Sequence, residues 1–406
     1  MPACFRPLSI AILVAGAASA CAVPLERTPV PAELSQQATV PGLAHVRVWG
    51  DETPSDVAAF ARTFLPNIGK LTETTRQPDG SHRVDYLLLS GGAGDGAFGA
   101  GVLAGWSQKG SRPQFAVVTG VSAGALIAPF AFLGPAYDRQ LRQIWTQYET
   151  KDLVVQHVLS GLLTGEALAD TRPLQALIER YVTPAMIAEI AAEYRRGRLL
   201  LVGTTNLDAQ RQVIWNMGEI ALHPSREAAQ LFRQVLLASA SVPGAFPPVR
   251  ISVEAGGARR DELHVDGGPT RQVFLGPGSL TLAAFDRFYP KPPRRRVFVI
   301  KNGKLTPEFQ VVKSQTLSIS TRALFTTTKN QSVGDIIRIR DKVIASARSG
   351  GPVPEFRLLN IPAGFDIVAN EPFDRAYMQA LYKVGVDQGL RGDGWRDQLP
   401  EGSAPR

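Results

Sequence analysis

The stretch from Pro113 to Tyr137 carries no charged side chain, and it is long enough for either a membrane span of about 20 residues or a buried piece of core. Gly120, Ser122, Gly124, Pro129 and Gly134 interrupt it, which suits a buried strand, a sharp turn and a buried helix instead. The surrounding sequence agrees. Short apolar runs at Val84 to Leu89, Phe115 to Thr119, Leu199 to Val202, Gln212 to Trp215, Leu263 to Val265 and Val297 to Ile300 read as strands. Helical stretches alternate with them at Ala97 to Gln108, Tyr137 to Tyr148, Pro173 to Arg196, Ala228 to Ala238, Leu317 to Arg348 with breaks, and Asp374 to Leu390. Apolar strands alternating with helices imply an α/β fold whose sheet is covered on both faces. With 406 residues, 44% of them hydrophobic, the chain can build one large core with extensions.

Within the charge-free stretch, Gly120-Val121-Ser122-Ala123-Gly124 fits the G-x-S-x-G turn between a strand and a helix, where strained backbone pushes a serine hydroxyl above the sheet. A structural turn is the plainer alternative. Upstream, Leu87 to Gly96 runs from a strand into the loop Ser90-Gly91-Gly92-Ala93-Gly94-Asp95-Gly96, which can turn successive backbone N–H groups toward an anion. Gly94, Gly96 and Gly99 also satisfy a dinucleotide fingerprint, but no acidic residue follows between Gly96 and Tyr137 to bind a ribose.

A serine nucleophile needs a base. Asp266, at a strand end before Gly267 and Gly268, has the most site-like setting of the acids, and no histidine follows it. His264 shares its strand face, so a triad through His264 and another acid stays open. The leaner reading makes Asp266 itself the base, its pKa lifted by burial from the ordinary value of about 3.9.

Together these segments resemble the patatin-like phospholipase family. Ser90 to Gly96 with the following Ala97 to Leu103 is similar to the family's oxyanion segment, Gly120 to Gly124 to its nucleophile elbow, and Asp266-Gly267-Gly268 to its aspartate motif. Thr204 to Asp208 and Ala238 to Pro248 are also similar to family segments, so the resemblance spans Tyr86 to Pro269. It implies a three-layer α/β/α sandwich with a mainly parallel central sheet and a Ser122–Asp266 dyad. Backbone N–H groups of Gly91, Gly92, Ala93 and Gly94 would form the oxyanion hole. The implied activity is hydrolysis of lipid or phospholipid esters through an acyl-enzyme, without metal or organic cofactor; acyl transfer with the same dyad, or an inactive binding module, are the alternatives. Two residues depart from the pattern: Ala93 replaces a usual glycine, and Asp95 stands where many members carry Arg or Lys. Asp95 either pairs with a basic residue, repels anionic head groups, or satisfies local backbone donors.

The N-terminus addresses the protein. Arg6, the apolar run Leu8 to Ala18 and the small residues Ala18-Ser19-Ala20 read as an export signal over residues 1–20. Ala18-Ser19-Ala20-Cys21 resembles the lipobox of bacterial lipoproteins, with Cys21 acylated, and Ala22 rather than Asp at the next position resembles the outer-membrane class; cleavage after Ala20 into the periplasm or medium is the alternative. Residues 21–83 then read as a proline-rich tether, including Val23 to Gly42, and an N-terminal extension with a short strand at His45 to Trp49 and a helix from Asp56 capped by Ser55. Residues 84–271 form the catalytic core, 272–395 its C-terminal α/β part and 396–406 a tail. The formal charge of +8 favours an anionic surface as neighbour, but the basic residues are scattered apart from Arg259-Arg260 and Arg294-Arg295-Arg296, both read as solvated charges, so nucleic acid is disfavoured. The sequence leaves the oligomeric state open.

If Cys21 is acylated, several chains hold the protein to a membrane far more firmly than one would. The wild type then takes up palmitate label, and Cys21→Ser moves into the soluble fraction. A wild type without label leaves simple secretion.

Overall fold

A computed structural model describes residues 27–156, 169–243, 245–347 and 351–400. The export signal, Cys21 and the end of the tail lie outside the described residues. The strands of the main sheet are β1 (Arg47–Trp49), β2 (Arg83–Leu89), β3 (Val117–Gly120), β4 (Leu199–Asn206), β5 (Arg211–Asn216), β6 (Val249–Ala255), β7 (Ala258–Asp266), β8 (Arg294–Lys301) and β9 (Glu355–Asn360). The main sheet runs β1-β5-β4-β3-β2-β8-β9. β4, β3, β2, β8 and β9 are parallel, with β5 antiparallel to β4 and β1 antiparallel to β5. A hairpin of β6 and β7 joins the far end of β4.

Both faces of the sheet are buried, and alternation along each strand shows it. Leu87 and Leu89 of β2, Val118 of β3, Leu200 and Val202 of β4, and Phe298 and Ile300 of β8 belong to one apolar cluster. Their neighbours Leu88, Val117, Leu199, Leu201, Val297 and Val299 belong to a second. Period-two alternation between two cores is what a covered central sheet requires. The first core is closed by α2 (Gly96–Gln108), α3 (Ala123–Leu133), α4 (Asp138–Gln147), α7 (Met217–Leu222), α8 (Arg226–Ser239) and α10 (Arg375–Arg391), and the second by α1 (Val57–Phe64) and the C-terminal half of α9 (Thr316–Ala345). The result is the expected three-layer α/β/α sandwich. No described helix is long and apolar enough to cross a membrane, and the charge-free stretch divides into β3, a turn and α3, which ends at Gly134 with φ +99°.

Several expectations change. Asp56, not Ser55, caps α1, accepting from the N–H groups of Ala58 and Ala59. Pro173 to Arg196 is two helices, α5 (Arg172–Tyr181) and α6 (Pro184–Arg195), because Pro184 opens a second one behind its Thr183 cap. α9 is continuous over 30 residues where breaks were expected. Residues 27–42 do not hang free as a tether. Arg27 pairs with Asp261 and Asp208, Thr39 bridges to Glu254, and Ala38 and Val40 are buried, so this segment is laid along the β6–β7 hairpin. Arg295 and Arg296 are not solvated either: on β8, between β2 and the edge strand β9, they pair with Asp286 at 2.6 Å and Asp85 at 2.6 Å.

α2 and α10 cross at backbone contact. A Cβ on Gly101 or Gly105 would lie 2.1 Å from the carbonyl oxygens of Tyr382 or Val386, and one on Gly385 or Gly389 2.3 Å from those of Phe98 or Val102. In an open helix Gly→Ala gains about 1 kcal/mol in propensity. Here overpacking reverses the sign, so Gly105→Ala and Gly385→Ala are each expected to lose about 1–3 kcal/mol in urea unfolding. A gain in stability at both positions would be incompatible with this crossing.

Candidate active site

β4 is longer than β3, and the difference builds the site. Gly120, the last residue of β3, pairs with Val202, leaving the rest of that β4 edge unpaired by β3. β7 enters antiparallel from the opposite direction and pairs Asp266 with Thr204. Two chain ends therefore meet head to head on one strand, two residues apart, or about 7 Å. One leads into Ser122 and the other ends in Asp266.

Ser122 has φ +54° and ψ −126°, a region that costs a non-glycine residue of order 1–3 kcal/mol. The surroundings hold it there. Its N–H donates to Ser239 Oγ at 3.0 Å, and that hydroxyl donates to Gly203 O at 2.7 Å. The flanking glycines are required by contact: a Cβ on Gly124 would sit 2.3 Å from Leu89 O, and one on Gly120 2.5 Å from Gly124 O. The hydroxyl thus stands at the N-terminus of α3, in its positive field.

Asp266 is buried, and Gly268 N–H donates to its Oδ1 at 2.7 Å. Its Oδ2 is buried without a donor in good hydrogen-bond geometry, although the Ser122 hydroxyl is near enough to pull the carboxyl pKa down. Burial outweighs that pull and the Gly268 bond, and pushes the pKa up to about 6. A loose serine–carboxylate contact that tightens when substrate binds is ordinary for a resting site.

The glycine loop packs against Ser122. A Cβ on Gly91 would lie 3.0 Å from Ser122 Cβ, so this glycine is what lets the loop approach. Gly91 N–H, however, donates to Gln272 O at 3.2 Å, so the sequence-based donor set loses its first member. The loop then turns at Gly92 and Ala93, with Asp95 N–H bonded to Gly92 O and Gly96 N–H to Ala93 O. The N–H groups of Gly92, Ala93 and Gly94 have no acceptor among the described residues. Ala93 has φ +47°, the conformation for which glycine is the usual choice.

His264 does not join this group. Its Nδ1 is hydrogen-bonded to Thr204 Oγ1 at 2.9 Å and its Nε2 to Glu262 Oε2 at 3.0 Å, within a buried network that includes the Arg47–Glu262 ion pair. Both ring nitrogens are occupied, and burial lowers the imidazole pKa.

Asp95 has partners from elsewhere in the chain. Tyr377 OH donates to its Oδ1 at 2.6 Å, and Lys301 lies close enough to act on it electrostatically. The buried Lys301 ammonium donates to Asn302 O at 3.2 Å and, at longer range, to Gly91 O at 3.4 Å, and burial lowers its pKa to about 8. A cation does sit under the glycine loop, supplied by the end of β8 rather than by the loop itself. Asn302 ties the loop further, through Ser90 O at 2.8 Å, Ser90 Oγ at 2.9 Å and Gly99 N at 3.1 Å. Sequence reasoning missed Lys301, Asn302, Tyr377 and Gln272, which lie outside any motif. Ser239 was within a similar segment but without a role.

No curated protein matches the chain. Among solved structures, VipD from Legionella pneumophila aligns with 79% of this chain and 70% of its own at 11% identity and TM-score 0.35. Human GIVD cytosolic phospholipase A2 aligns with 89% of this chain and 69% of its own at 10% identity and TM-score 0.33. The family profile described as patatin-like phospholipase matches residues 87–275, which run from the strand before the glycine loop past Asp266. That stretch, with its serine turn, glycine loop and strand-end aspartate on a mostly parallel sheet, belongs to the patatin-like phospholipase family.

Proposed function

We propose that the protein is a serine acyl hydrolase of the phospholipase A or lipid-esterase type, working through a Ser122–Asp266 dyad. The observation that carries this reading is the strained Ser122 beside a buried Asp266, with the unbonded amides of Gly92, Ala93 and Gly94 on the adjoining loop. Ser122 Oγ attacks the ester carbonyl carbon while Asp266 takes its proton. The carbonyl oxygen becomes negative and is held by the loop amides. Collapse breaks the ester C–O bond, the leaving alkoxide receives the proton from Asp266, and an acyl-Ser122 remains. Water, deprotonated by Asp266, then attacks that ester, the acid departs, and Ser122 regains its proton. The remaining parts of the reading are that the chain is exported and held to a membrane by acylated Cys21.

A base with a pKa near 6 is mostly ionised at neutral pH yet stronger than an ordinary carboxylate. The expected kcat/KM on a monomeric ester rises through about pH 6 and then levels. Ser122→Ala and Asp266→Asn each lose about a thousandfold or more, while a folded His264→Ala keeps most activity. Loss of activity in that folded histidine variant would restore the triad.

The same burial makes a stability prediction of opposite sign. Because the folded pKa of Asp266 is about 6 against 3.8 for an unperturbed carboxyl, the folded state keeps a proton that the unfolded chain releases. Wild-type stability therefore falls by about 3 kcal/mol as pH rises from about 4 to above about 6. Asp266→Asn does not titrate, so it should be more stable than wild type at pH 8 and lose that advantage near pH 4. An unfolding series across pH that shows no such crossover would refute a buried, raised Asp266.

Lys301 is assigned the charge balance of the glycine loop. Lys301→Met is expected to lower kcat more than it changes KM, and adding Asp95→Asn should recover part of the loss by removing the carboxylate left unbalanced. Steady-state kinetics of the two single variants and the double variant measure that coupling.

A further inference from the structure

We propose that the strap of residues 304–315 before α9 and the exposed N-terminal half of α9 form a docking surface for an anionic lipid bilayer, seated beside the turn that follows Asp266. The inference rests on the lipid-ester reading for its purpose but not for its observations.

α9 is 30 residues long, yet its core contacts, Val333, Ile336, Ile339 and Val343, all lie in the C-terminal half. The preceding turns and the strap carry large apolar side chains into solvent: Phe309 is 95% exposed, Val311 81% and Phe325 64%, with Ile319 and Leu324 also exposed. An isolated helix gains little stability in water without a buried face, so this half is built to be covered.

Its position points to what covers it. Farther along α9, Gln331 donates to Pro269 O at 3.4 Å and Asp335 accepts from Gln272 N–H at 2.7 Å, in the turn that follows Asp266. At the strap, Glu308 is paired with Lys304 at 3.6 Å and Lys329 at 2.9 Å, and both Glu308 and Lys304 act electrostatically on Asp95 of the glycine loop. The exposed patch is therefore tied at one side to the aspartate turn, and at the other it carries charges within electrostatic range of Asp95.

The charge of the patch selects among surfaces. From residue 304 to 329 the ionisable side chains are Lys304, Lys313, Arg322 and Lys329 against Glu308 alone, four positive and one negative, for a net charge of +3. Arg322 clips the strap to the helix through Gln310 at 3.2 Å and the Glu308 carbonyl, so its charge stays with the apolar residues. Apolar side chains between cations fit the interface of an anionic bilayer, where rings enter the acyl boundary and the cations meet head groups. A protein partner would need matching acids and a shaped apolar counterpart.

The test uses the full chain carrying Cys21→Ser, which removes any acyl anchor, with vesicles of equal parts phosphatidylcholine and phosphatidylglycerol. The expected result is co-sedimentation that weakens as salt rises and drops about tenfold or more in Phe309→Asp/Phe325→Asp. Hydrolysis of soluble p-nitrophenyl butyrate by the same variant should stay within about twofold of its parent, since neither ring belongs to the site. Binding unchanged by the double substitution, absence of vesicle binding by the parent, or a parent that self-associates through these residues on sedimentation would overturn the proposal. If no ester is hydrolysed while vesicle binding follows the expected pattern, the enzymatic reading fails and the docking surface stands.

Discussion

The unequal lengths of two neighbouring strands govern the site. β3 stops at Gly120 while β4 continues to Asn206, and the unpaired edge is taken by the end of β7 arriving from the other direction. Backbone hydrogen bonds fix register, and a one-residue slip would turn Asp266 to the opposite face. The distance between the serine turn and the carboxylate is thus set by sheet pairing rather than by the flexible side chains. That explains why the scaffold around β7 is so heavily bonded. Arg47, Glu262, His264, Thr204 and Trp215 form a buried chain of polar contacts that locks β7 against β4 and β5. His264 serves position, and its two occupied nitrogens leave it nothing to give a proton shuttle.

Burial is used in two opposite ways around this frame. Asp266 has one strong donor and a buried second oxygen, so its charge is poorly compensated and its basicity rises. Glu262, buried nearby on the same strand, has Arg47 and His264, and its pKa is held down to about 2. Two acids four residues apart therefore differ because of their partners, not their depth. A carboxylate whose burial costs stability is where the proposed chemistry can sit, whereas one made stronger as an acid by its partners is holding structure. The strained φ of Ser122 belongs with Asp266 in the first class, and the hydrogen bond from its amide to Ser239 is what the fold offers against that strain.

What could be read in the sequence was what backbone geometry imposes locally. G-x-S-x-G was legible because Gly120 and Gly124 are forced by contacts within a few residues of the turn and with β2. The strands were legible because both faces are buried, giving apolar runs whose ends sequence periodicity placed within a few residues. β6 and β9 were not: in β6 Arg250, Ser252 and Glu254 alternate with buried Ile251 and Val253, and in β9 Glu355, Arg357 and Asn360 interrupt buried Phe356, Leu358 and Leu359, so neither gives an apolar run. The tether reading of residues 27–42 failed because prolines signal the absence of helix but say nothing about pairing with a hairpin more than two hundred residues away. Lys301 was hidden for a related reason. Near the end of an apolar strand, a lone lysine reads as an exposed terminus, and only the three-dimensional approach of β8 to the loop after β2 gives it Asp95 as a neighbour.

The residues that complete the glycine loop lie beyond the stretch that carries the motifs. Lys301 and Asn302 come from β8 and the residue after it, and Tyr377 from α10. α10 reaches the loop only because four glycines let it lie against the backbone of α2, the helix that the loop opens. A side chain at any of these crossings would push α10 outward and carry Tyr377 away from Asp95. Asp95 would then face Lys301 without its hydroxyl donor, and the loop amides would lose one of the contacts that orient them. The serine turn and the aspartate are local inventions of a strand end, whereas the glycine loop is a long-range one, assembled from segments that meet only when the whole sheet and its first helical layer have formed.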